Sequence, residues 1–122
     1  MTDRKQSLID LRDKVRAGEM GDTGPDRFTA IPKRGVGVYF DQNWRDAGNA
    51  YWHGDLNAAK ALHDAVLPGW EWGVTDNEEN PSGPAAFVAR WGVDNGFEAS
   101  SNTPARAWLL AILEALIAVE SA

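Results

Sequence analysis

Within DQNWRDAGNAYWHG (41–54) stand the five residues best equipped to hold a ligand: Trp44, Arg45, Tyr51, Trp52 and His53. Flat aromatic rings beside a guanidinium can stack on and hydrogen-bond a nucleobase, or grip the surface of another protein. The competing reading is that Trp44 and Trp52 seal this stretch onto the core, since tryptophan is on average a highly buried residue. Catalytic chemistry has no visible home. The chain holds two histidines, and neither stands in the HxH or HExxH spacing that gathers a metal, so no metal or cofactor is expected. His53 lies near Asp55 and Asp46 but without a paired ligand pattern, and reads as a surface or hydrogen-bonded side chain. His63 and Asp64 are adjacent on a helix, so they do not converge on one point, and a packed or boundary position is expected for His63. No serine sits in GxSxG. The GVG at 35–37 is too short a pattern to wrap phosphates, and Glu78 and Glu79 fall in a wet, turn-rich stretch. The alternative, a small hydrolase or transferase, would require His53 or His63 to meet carboxylates in a cleft.

These residues must be positioned by a small set of elements. Leu8, Leu11 and Val15 recur at helical spacing and predict an amphipathic helix over 4–17, ended by Gly18 or Gly21. Residues 21–35 are rich in Gly, Pro and Asp and read as loop, with at most a short extended piece around 28–31. VGVYF (36–40) favours a strand. The stretch 41–54 shows neither period and is expected to be an elaborated loop. Asp55 is a good N-cap for a helix over 56–66, with Leu56, Ala59, Leu62, His63 and Val66 on one face and Pro68-Gly69 as its stop. After that break, Trp70, Trp72 and Val74 alternate with Glu71, Gly73 and Thr75, the period of a strand with one buried face. AAFVARWGV (85–93) reads as a second strand, DNG (94–96) as a tight hairpin turn, and FEAS (97–100) as the returning strand. Thr103 and Pro104 suit the N-cap and first position of a closing helix whose apolar stripe is Leu109, Ile112, Leu113, Leu116 and Val119, with Trp108 at the edge. Leu110 and Ile117 flank Glu114 on the other side. The helix over 103–120 therefore offers a face to a further element or to a second copy of the chain.

The expected fold class is α+β: a single domain over 1–122, with a small antiparallel sheet of three to four strands packed with helices. Its last five elements run α-β-β-β-α. That order also occurs in double-stranded-RNA-binding domains, whose second helix presents a basic N-terminus to phosphates; the matching stretch here, SSNTPARAW, supplies only Arg106. Charge argues the same way. Residues 61–122 carry nine acids against Arg90 and Arg106, a net of −7 out of −6 for the whole chain, and phosphate backbones demand clustered cations. General nucleic-acid binding is thus disfavoured, while an acidic surface that imitates DNA remains an alternative. The absence of cysteine fits a reducing compartment. No signal-like segment and no span long enough for a bilayer is seen, so a cytoplasmic protein with no membrane association is expected.

Two stretches resemble small phage and prophage proteins of the phage ABA sandwich type, common in marine and related alphaproteobacteria. GDLNAAKALHDAVLPGWEW (54–72) is similar to that group's helix followed by L-x-P-x-G-W-x-W. ASSNTPARAWLLAILEAL (99–116) is similar to its closing T-P-A-x-A helix. The resemblance covers roughly 54–118 and implies a sheet sandwiched by helices, in a phage or prophage accessory protein, with no activity or catalytic residue attached. Asn57 stands where the pattern usually has an acid, and the glycine- and aromatic-rich segment 33–53, which follows an N-terminal helix and loop (1–32), individualises this chain. The function expected is non-catalytic binding, with a host protein (a defence protein) or a small nucleotide-like signal as partner. A nucleotide target would show as a cation beside an exposed indole in a pocket.

Overall fold

A run of alanine and large aliphatics near the C-terminus organises the molecule. In the computed structural model, which describes residues 4–19, 28–33, 41–75, 83–90 and 96–121, this run is the helix α4 (Pro104–Ser121), numbered last in chain order. Thr103 caps it, its Oγ1 accepting from the Arg106 N–H at 3.1 Å, and Pro104 occupies the first turn, where a missing N–H costs nothing. Ala105, all of 107–113, and 115–117 are buried. A helix this apolar must be covered on most sides, and as far as residue 117 α4 is, by the sheet and by three other helices, while Val119 in its last turn is exposed. Among the described residues no helix is long and apolar enough to cross a membrane.

The first cover is α1 (Arg4–Ala17), which buries Leu8, Leu11 and Val15. Arg12 and Arg16 reach across to Glu114, with N···O distances of 3.2 and 2.8 Å. Of the two occupants expected for this side of α4, a further element or a second copy, the described residues show the further element: Leu110 and Ile117, a turn either way from Glu114, are buried within the chain.

The second cover corrects the expectation of a loop at 41–54. Residues Gln42–His53 form a helix, α2. Asp41 is its N-cap, with a carboxylate oxygen accepting from the Asn43 N–H at 2.9 Å. Gly54 ends it in the left-handed conformation, φ 64°, which an L side chain adopts only at a cost. The sequence hides this helix because the face it buries includes Asn43, Asp46 and Gly48 beside Trp44, Ala47, Ala50 and Tyr51, and this mixture blurs the apolar period. Only Gly54 and Asp55 separate it from α3 (Leu56–Val66), which Asp55 caps through the Ala58 N–H at 3.2 Å. The α3 face differs slightly from expectation, since Leu56 is exposed. Residues 28–31 form a turn, Ile31 N–H to Phe28 C=O at 3.0 Å, rather than an extended piece.

Strands β1 (Glu71–Thr75), β2 (Ala85–Ala89) and β3 (Gly96–Ser100) make an antiparallel meander in the order β1-β2-β3. The class is α+β, as expected; the order is α-α-α-β-β-β-α, and its last five elements match the α-β-β-β-α reading. The strand expected at 36–40, Trp91 and the Asp94-Asn95 turn lie outside the described residues. Register puts Trp72, Val88 and Phe97 in one row and Val74, Ala86 and Ala99 in the next, and this face packs on α4. Among the described residues the other three helices all pack on α4, and none packs on the sheet to a comparable extent. A sheet sandwiched by helices is thus not what the described residues show; the sandwiched element is α4.

Candidate functional site

The five residues singled out at 44–53 do not form a common surface. Trp44 is buried, its indole N–H donating to the Ile31 carbonyl at 2.8 Å, with Lys33 Nζ 5.2 Å from the ring centre. Tyr51 is buried as well; the Arg106 guanidinium lies over its ring at 4.1 Å and donates through Nη2 to its carbonyl at 3.1 Å. Trp52 is half-buried, edge-on to Phe28 and Tyr51. Only Arg45 and His53 are exposed, and they stand eight residues apart on α2. The helix clamps the 28–33 turn: Asn43 also donates to the Pro32 carbonyl at 2.9 Å. Asp46 is buried and receives the Gln42 amide at 2.9 Å, so it is not poised to share a cation with His53. Among the described residues no group of three His, Asp or Glu side chains converges as a metal site would.

His63 is buried and fully engaged. Its Nδ1 receives the Trp108 indole N–H at 3.3 Å, and its Nε2 lies 3.1 Å from the Trp70 carbonyl. An indole N–H can only donate. Nδ1 must therefore be the bare nitrogen, and Nε2–H donates to Trp70: a neutral ring in one tautomer. Burial lowers its pKa below the usual 6.5, with the Trp70 hydrogen bond and Asp64 opposing that shift and Lys60 adding to it. With both nitrogens committed, this ring joins α3, the turn before β1 and α4.

What the structure does expose lies on β1 and β2. Trp72 points to the α4 side and stacks on Trp108, centroids 4.4 Å apart and planes 26° apart. Trp108 is 2% exposed but Trp72 is 42% exposed, so of the two stacked indoles one is wall and the other surface. The expectation that Trp72 lies on a buried strand face is corrected: its side of the sheet packs on α4, but the ring itself stays 42% exposed. Trp70, half-buried, stacks on Phe97 at 6.4 Å and carries the Arg90 guanidinium 5.2 Å from its ring centre.

On the opposite face of the sheet Phe87 is 45% exposed. Its partner in register is Gly73 on one side and Glu98 on the other. The ring lies across Gly73, where any Cβ would collide with it; the missing side chain is what lets the ring rest on the strand. Beside it runs an open groove of about 330 Å³ lined by Gly73, Thr75, Ala85, Phe87 and Glu98. Sequence reasoning missed Phe87 as a surface residue. Its one signal is the pairing of a large ring with a glycine, which is readable only once the register is known.

Comparison of the chain with protein families, curated proteins and solved structures found no match. The class is therefore defined by architecture alone: an α+β chain built around one buried helix, with aromatic side chains exposed on both faces of an edge hairpin.

Proposed function

We propose that this protein acts by non-catalytic binding to another protein, through the β1–β2 hairpin. The observation that carries the reading is the exposure of two large aromatic side chains, Trp72 and Phe87, on rigid strands. Exposed aromatics on ordered backbone bury large area at low entropic cost and dominate binding energy at interfaces. His63, bonded to the Trp108 on which Trp72 stacks, is held in a structural relay with both nitrogens used, which leaves it no free nitrogen for proton transfer. The resemblance over 54–118 implies that such a binder would be a phage or prophage accessory protein. Its partner would then be a host component, such as a defence protein, in the bacterial cytoplasm. A nucleotide signal is less well supported, because Arg90, a cation just past the end of β2, already lies over Trp70.

Native mass spectrometry of tagged protein recovered from infected cells tests this. A retained protein of fixed stoichiometry is expected, lost from Trp72→Ala and Phe87→Ala variants that melt like the parent. Retention of the partner by both variants would overturn the reading, and a retained mass of nucleotide size would replace it.

A further inference from the structure

We propose that the outer face of the sheet docks an extended cationic segment of the partner, with an arginine or lysine side chain laid on Phe87 and its charge held by Glu98 and Glu71. The inference rests on the binding reading above and names the chemistry of the occupant. Three observations carry it.

First, geometry brings the groups together. Phe87 and Glu98 are direct cross-strand partners, and Glu71, which pairs with Ala89, is the diagonal neighbour on the same face. Direct partners have Cβ atoms about 5 Å apart and diagonal ones roughly 7 Å, within reach of one guanidinium. An arginine can stack on the ring and fork to a carboxylate at once.

Second, both carboxylates are exposed and neither enters an ion pair among the described residues. Residues 61–122 hold two cations, Arg90 and Arg106. The first lies over Trp70 on the α4 side and the second over Tyr51, so neither serves this face.

Third, a groove stays open beside Phe87, whose ring fills the space that a side chain at position 73 would take. The same charge makes other occupants unfavourable. A second copy docked face to face would set Glu71 and Glu98 against themselves, and phosphate groups would meet carboxylates without cations.

The test is an NMR titration of the full chain with a short peptide alternating arginine and alanine, its termini blocked, alongside one alternating glutamate and alanine. Shifts from the arginine peptide are expected within 71–75, 85–89 and 96–100, and none from the glutamate peptide. The Glu71→Gln/Glu98→Gln pair should weaken binding about tenfold, roughly the loss of one charge-assisted contact. The Asp64→Asn/Glu120→Gln pair, with the same change in net charge elsewhere, should weaken it less than about twofold. Equal weakening by the two pairs, shifts that map to another surface, or binding of the glutamate peptide would each overturn the proposal. The two readings fail separately: a cellular partner that depends on Phe87, in a protein that ignores the arginine peptide, preserves protein binding and removes the cationic occupant.

Discussion

Trp108 gives its indole N–H to a histidine and not to a carbonyl, and that choice of acceptor makes a protonation state part of the fold. Protonated His63 would turn Nδ1 into a donor facing a donor, while losing hydration in a buried site. Because the folded pKa lies below 6.5, the unfolded chain binds more protons than the folded one as pH falls through that value. The histidine therefore costs nothing above about pH 6.5, destabilises increasingly below it, and reaches its full effect only below the folded pKa. Urea unfolding at about pH 7.5 and about pH 5.5 measures this, with the parent less stable at the lower pH. His63→Phe should narrow that difference. It should also lose roughly 1–3 kcal/mol at the higher pH, because the Trp108 N–H and the Trp70 carbonyl are left unpaired. An unchanged pH difference in the variant would mean that other groups set it.

At the scale of elements, the most local signals were the most legible. Asp55 before an apolar period, Thr103-Pro104 before an alanine- and leucine-rich run, and the alternation through Trp70, Trp72 and Val74 each announce an element by chemistry within a few residues, and α3, α4 and β1 are found there. Helix α2 was not legible through its period, because Asn43, Asp46 and Gly48 share its buried face; its ends, Asp41 and Gly54, were the available signal. Those ends carry weight, so Asp41→Ala should lower stability by about 1 kcal/mol, seen as a lower denaturation midpoint with an unchanged slope. The candidate site was illegible for a different reason: exposure of Phe87 and of Trp72 follows from cross-strand register and from where α4 ends its cover, neither of which is local. Gly73→Ala separates these effects. The new Cβ evicts the Phe87 ring, but the ring is already half in solvent, so unfolding should shift by less than about 1 kcal/mol. Arginine-peptide binding should nonetheless fall as far as in Phe87→Ala. Unaltered affinity with a displaced ring would show that Phe87 is not a contact.

For the whole molecule the governing fact is that its most apolar helix lies in the middle. The sequence shows α4 to be apolar; what lies on each side of it depends on partners distant in the chain, and for the Leu110, Glu114 and Ile117 side the partner is α1. That cover is thin. It is held by Leu8, Leu11 and Val15, each contributing about 1.5–3 kcal/mol of apolar burial before the entropy of ordering the helix is subtracted, by the part-buried Arg12 contact to Glu114, and by the Arg16 contact, whose exposed guanidinium makes it worth little. Replacing Leu8, which is fully buried, with Asp removes one of the three anchors and sets an ionised group in its place, an exchange costing more than about 3 kcal/mol. Detachment of α1 should then be cheaper than burying the carboxylate. Leu110 and Ile117 would be uncovered as a contiguous apolar strip, the kind of surface that drives association. Sedimentation of Leu8→Asp across a range of concentrations should show self-association beyond that of the parent, with the β1–β2 hairpin resonances largely unmoved because the sheet lies on another side of α4. A variant that sediments like the parent and unfolds at the same urea concentration would show that α1 is not what keeps α4 covered.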